Sequence, residues 1–342
     1  MLRSTLIFVV AVSTATLPTA AARADSRPSL PSPEIFAPGV ISGLASNADP
    51  AFSPDCRSVV FGRSNASDYV ILVADATAHG FGKPRLAPFS GTWRDLEPAL
   101  APDGRRLAFA SNRPREAGGR ALDGNWGGKA MPESGGNLWY VERTGSGFGE
   151  PRRYPDTINS EPSIFSPSIT SSGAIYFMKP TPDGGRFHIY RSEVRNDEPA
   201  SPERLPFNLD ERWSDVDPAV APDESFVVFS SNRPPAATGD MDLFVVFRSE
   251  AGWGEPEHLG PVVNSPAGEI EARLAPDGHT LYFSSRRPLA LTYPKTPSMT
   301  AASLAQMAAW GNGLSHIWRV DLAPVLEAHG VRPHPARGCA PR

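Results

Sequence analysis

The sequence predicts an all-β fold: a five-bladed β-propeller, with six blades as the alternative, built from four-stranded antiparallel blades. Three observations carry this. One phrase recurs five times at intervals of roughly fifty residues. Each copy contains the chemistry of a tight turn, and the chain's 37 prolines and 30 glycines suit loop-dense β structure better than helices.

The copies are DPAFSPDCRSVVFGRSN (49–65), EPALAPDGRRLAFASNRP (97–114), EPSIFSPSITSSGAIYFMKP (161–180), DPAVAPDESFVVFSSNRP (217–234) and EARLAPDGHTLYFSSRRP (271–288). Each reads as an acid, a short apolar strand, a turn and a second strand. In the second copy the strands are Pro98 to Ala101 and Arg106 to Ala110, joined by Pro102-Asp103-Gly104. Proline presets φ there, while Asp and Gly supply a local hydrogen bond and a permissive backbone. Ser171-Ser172-Gly173 replaces that turn in the third copy. An aromatic-rich third strand follows, as at Asn137 to Val141, with Trp139, Phe244 and Trp318 as equivalent core positions. The phrase Gly252 to Leu259, echoed at Gly147 to Pro151 and Gly80 to Pro84, marks a fourth.

The fifth copy ends without a good fourth strand, because residues 323–342 are Pro-rich. The stretch 33–42 resembles the fourth-strand segments 202–206 and 256–264. The N-terminal strand is therefore expected to close the last blade, leaving no open sheet edge.

The phrases APDG, FSSNRP and GWGEPEHLGPVVNS resemble the Pro-Asp β-propeller repeat family, TolB-like and WD-repeat-like, over about residues 33–322. The resemblance implies the propeller fold and a cell-envelope setting, and it is specific for fold rather than for function.

Three segments are expected: a signal peptide at 1–24, the propeller at 25–322 and a C-terminal tail at 323–342. Arg3, the apolar run Leu6 to Val12 and the small residues around Ala22-Arg23-Ala24 carry the first assignment, which places the mature protein in the periplasm or outside the cell. No later stretch is apolar for long enough to span a bilayer. A net charge of −4 favours neither nucleic acid nor an anionic membrane, and a monomer is expected. Cys56, in the first turn, and Cys339, in the tail, are the only cysteines. Blades 5 and 1 are neighbours in a closed ring, so a disulfide between them is plausible in an oxidising compartment; two unpaired thiols are the alternative.

First strands line a propeller's channel, so the acids that open each copy, Asp49, Glu97, Glu161, Asp217 and Glu271, are expected to ring one mouth. Asn47, Asp95, Asn159, Asp215 and Glu269 stand two residues earlier, on the same side by strand alternation. Arg113, Arg233 and Arg287 return to that mouth on second strands, with Asn65 and Thr181 in the other blades. The plain reading is a structural ion-pair belt. The functional reading is a surface of uncompensated carboxylates for a basic peptide, or for calcium at lower weight, since no compact metal-ligand spacing occurs.

Two long insertions, 115–136 with Trp126 and 288–315 with a helical stretch Ser303 to Trp310, fall between second and third strands on that face. Trp93 and Trp213 each precede a ring acid by four residues. The candidate binding set is thus Trp93, Asp95, Glu97, Arg113, Trp126, Glu161, Trp213, Asp215, Asp217, Arg233, Glu269, Glu271 and Arg287. His188 and His316 begin third strands and read as loop-closing residues. No nucleophile elbow or zinc-protease motif occurs, so no catalytic residue is assigned. The expected function is an exported binding or scaffold protein that engages an envelope protein or glycan at the acidic mouth. The alternative is a carbohydrate-active hydrolase or lyase using ring carboxylates such as Glu161 with Glu271.

Overall fold

The computed structural model describes residues 28–333, except 66, 145–146, 197, 237–239 and 289–292. Five antiparallel sheets follow one another in sequence and form a five-bladed β-propeller. The first strands are Ser46–Phe52, Asp95–Leu100, Phe165–Ile169, Asp215–Val220 and Glu269–Leu274. These five pack side by side around the axis, and the later strands of each blade step outward. The expected signal peptide and Cys339 lie outside the described residues.

Burial explains the composition of each layer. Second strands are sandwiched between neighbouring blades, so Phe226–Ser231 is buried throughout and opens with four consecutive apolar residues rather than an alternating pattern. The turns behave as their residues require. Asp103, Asp223 and Asp277 each accept a hydrogen bond from the backbone two residues on. The next position is left-handed, with φ of 73° at Gly104 and 79° at Gly278, and the same conformation is forced on Cys56 and Glu224. Glu224 is held by Arg191, at 2.6 Å, and by the Tyr176 hydroxyl, at 2.7 Å, both from blade 3.

The ring closes as the sequence predicts. Glu34–Ile35 pairs antiparallel with the third strand of blade 5, placing Glu34 opposite Arg319 and Ile35 opposite Trp318. Phe36 then enters an aromatic cluster with Phe52, Phe81 and Tyr282, at centroid distances of 5.6, 5.6 and 5.0 Å, which joins blade 5 to blade 1. The tail contributes more than its proline content suggests. Helix α2 (Ala323–Ala328) buries Val325 and Leu326 in the core shared by blades 4 and 5. Helix α1 (Pro297–Met307) starts six residues earlier than the stretch expected to be helical and buries no residue. Among the described residues, no helix is long and apolar enough to cross a membrane.

Candidate functional site

The channel owes its chemistry to one backbone irregularity repeated in every blade. Asp49, Glu97, Ser166, Asp217 and Glu271 all have left-handed φ, between 50° and 60°. In all five blades the register of the first strand shifts across that residue, for example between Ala48 and Ala51. Such a bulge re-aims one side chain and frees its N–H from the sheet ladder. The freed groups join blade to blade. Ser166 N–H donates to Glu97 Oε2 at 2.7 Å, and Glu271 N–H donates to Asp217 Oδ2 at 2.9 Å.

Glu161 does not belong to this ring. Counting back five residues from the turn places Ser166 there, and Ser166 donates its hydroxyl to Asp217 at 2.6 Å. Glu161 lies outside the first strand, half-buried, 3.8 Å from Lys179. Asn159, expected one ring further out, instead bridges the backbone N–H and C=O of Leu138 in blade 2, as Asn264 does for Leu243 in blade 4.

The bulge also separates two sets of acids that alternation alone would put together. Asp95, Asp215 and Glu269 do not join the channel acids. They pair with Arg113, Arg233 and Arg287, and each arginine also donates to a carbonyl of the preceding linker: Phe89, Phe207 and Val263. Each clasp therefore fixes one blade against the connection from the last. Blade 1 has the same clasp built from Arg63 rather than Asn65: its guanidinium donates to Asn47 Oδ1 at 2.8 Å and to the Ile41 carbonyl at 2.9 Å.

Asp49, Glu97 and Glu271 line a cavity of about 670 Å³ at the mouth where the first strands begin. Burial pushes the Asp49 carboxyl up to about 7, against the pull of Arg273 and with the repulsion of Asp217. Burial and the Asp49 and Asp217 carboxylates push Glu97 up to about 8. Burial and the same two neighbours hold Glu271 well above its ordinary value. Arg273, which sequence reading missed, is the countercharge, 2.8 Å from Asp49. The wells of such acids favour an incoming cation, which relieves both repulsion and desolvation. Among the described residues, no group of three or more His, Cys, Asp or Glu is arranged to hold a metal ion.

No family model matches the chain, and no curated protein does. Solved structures do resemble it. A protein of Agrobacterium tumefaciens assigned to TolB is 18% identical, with 70% of each chain covered and a TM-score of 0.46. TolB from Acinetobacter baumannii is 16% identical, covering 71% of this chain and 49% of that one, with a TM-score of 0.46. An α-L-arabinofuranosidase from Podospora anserina is 11% identical, covering 86% and 98%, with a TM-score of 0.48.

The insertions differ in their relation to the mouth. Leu314 and Ser315, at the end of the blade 5 insertion, line the cavity, and Ser315 accepts from Asn47 N–H at 2.9 Å. The blade 2 insertion instead lies over blade 3. Its hairpin, Gly124–Trp126 with Lys129–Met131, hydrogen-bonds Gly184 through Gly128 N–H at 2.7 Å, and Trp126 packs on Phe187 at 4.6 Å between centroids. Trp93 and Trp213 are partly buried and do not line the cavity; Trp213 lies beneath the Arg212 guanidinium. His188 bonds Glu211, 23 residues on in the connection to blade 4, and His316 bonds Asn312, closing a local loop. Cys56 is disulfide-bonded.

Proposed function

We propose that this propeller is an exported binding module of the cell envelope that receives a cationic group of a protein or glycan partner at its acidic mouth. The observation that supports this is the convergence of Asp49, Glu97 and Glu271 on one cavity, with Asp217 joined to the same ring and Arg273 as countercharge. A lysine, an N-terminal amine or an amino sugar entering that well would lower the acids' proton affinity and release protons on binding. The exposed Leu44 and Leu314 on the cavity wall supply apolar surface around the charge.

The test compares capture of envelope proteins and glycans by the wild type and by a Glu97→Gln, Asp217→Asn, Glu271→Gln variant, which keeps the blade-joining acceptors. Specific capture that the variant loses, and that a lysine-rich peptide displaces, is the expected result. Equal capture by both folded proteins overturns it. Hydrolysis or elimination at a glycan is the alternative. With Glu161 outside the ring, that chemistry would fall to Glu97 and Glu271, and turnover of a glycan panel by the wild type would establish it in place of simple binding.

A further inference from the structure

The opposite end of the channel is built from the turns and is chemically unlike the acidic mouth. Two residues beyond the bulge, the blades carry Ala51, Ala99, Ser168, Ala219 and Arg273. Four of these side chains are small and one is large. All five line a cavity of about 320 Å³, within the size range of small-molecule sites. Its walls include Phe52, Leu100, Ile169, Phe226 and Leu274, and Val331, Arg332 and Pro333 of the C-terminal segment lie at its rim.

Arg273 is only 5% exposed, yet its guanidinium is incompletely used. Nη1 donates to the Ala272 carbonyl at 2.7 Å. Nη2 stands 2.8 Å from Asp49 without an aligned hydrogen bond, and Nε has no acceptor among the described residues. Buried guanidinium N–H groups are costly to leave unmade. Such a group in an apolar cavity calls for an acceptor carried on an apolar body. Among the described residues, the other charges facing the cavity are Arg332 and Asp223, and the Asp223 carboxylate is engaged by the N–H and hydroxyl of Ser225 at 3.0 and 2.6 Å. Burial raises the Asp49 pKa, which weakens it as a counter-ion, and the unpartnered Nε and Nη2 leave Arg273 able to take a second oxygen ligand.

We propose that the turn-lined mouth is a second binding site, for a small organic carboxylate with an apolar body, its head on Arg273 and its body against the blade turns. The site shares Arg273 with the ring of the acidic mouth but is walled by the blade turns, and it does not require a cation to be bound at that mouth. Isothermal titration of the mature protein with octanoate and with octanamide tests it. Octanoate is expected to bind one to one, octanamide about tenfold or more weaker, and Arg273→Gln to lose about tenfold or more, the scale of a charged hydrogen bond. Ala219→Leu, which fills the cavity from the neighbouring blade and leaves the guanidinium in place, is expected to abolish binding and keeps the test sharp if Arg273→Gln fails to fold. A pentapeptide ending in leucine, with free or amidated C-terminus, separates the two sources of such a carboxylate. Tighter binding of the free peptide than of octanoate assigns the site to a chain terminus, and the reverse assigns it to a free acid. Absence of octanoate and free-peptide binding, equal affinity for acid and amide, or indifference to Ala219→Leu overturns the proposal.

Discussion

The Ser166 hydroxyl donates to Asp217 Oδ1 at 2.6 Å, so the blade that lacks a ring acid supplies a donor to the acid of the next blade. Both residues are buried. Ser166→Ala is expected to cost about 1–3 kcal/mol in urea unfolding, because a buried carboxylate oxygen loses its donor. Ser166→Asp adds a carboxylate to the crowded ring. It is expected to destabilise more at pH 8 than at pH 5, and an equal cost at both pH values would contradict the account of the ring.

The ring itself sets a pH dependence. Asp49 and Glu97 have pKa values raised from ordinary carboxylate values to about 7 and about 8. A raised folded-state pKa means that the native state binds more protons than the unfolded one, so the ring's stabilisation is full below about pH 4 and is lost as pH rises to about 8. The melting temperature is expected to fall between pH 5 and pH 8.5. Glu97→Gln keeps an acceptor for Ser166 N–H but cannot ionise, so it should match the wild type at pH 5 and exceed it at pH 8.5. A thermal scan of both proteins at the two pH values decides this.

The clasps and Glu161 give a contrast in energetics. Arg113→Ala leaves Asp95, fully buried, without its cation, and is expected to cost about 3–5 kcal/mol. Glu161→Ala removes half of a partly exposed pair with Lys179 and should stay within about 1 kcal/mol. Denaturant midpoints for the two variants, with the slope held constant, check the ranking.

At the seam, Phe36→Ala opens a cavity among Phe52, Phe81 and Tyr282, at an expected cost of about 3–5 kcal/mol. Glu34→Ala removes an exposed pair with Arg319 and should cost less than about 1 kcal/mol. Hydrogen exchange of the third strand of blade 5 is expected to rise in the first variant and not in the second.

The five-blade architecture and its N-terminal closure were legible because turn chemistry and strand phrases are local and repeat. The channel was less legible, for a physical reason. Strand alternation assumes a regular ladder, and the left-handed bulge at Glu97 breaks it, sending Asp95 to a clasp and Glu97 to the channel. Glu161 was misread because the letters EPS at 161–163 imitate EPA at 97–99. The fixed distance of five residues from ring residue to turn, Glu97 to Pro102 and Ser166 to Ser171, carried the correct signal. Arg273 is easily passed over because it follows the ring acid at a position that is small in every other copy, and only comparison with Ala51, Ala99, Ser168 and Ala219 makes it conspicuous.

The two-residue strand that closes the ring has a consequence for how the protein is made. Glu34 meets Arg319 across 285 residues, so all the intervening blades must emerge before this strand finds its partner. Until then the hydrophobic flank of the first blade that Phe36 and Tyr282 cover, with Phe52 and Phe81, stands open. Contacts this distant form slowly. A chain released unfinished would remain an unsealed arc with one sticky edge, and such truncated products would be the first to aggregate or to be degraded.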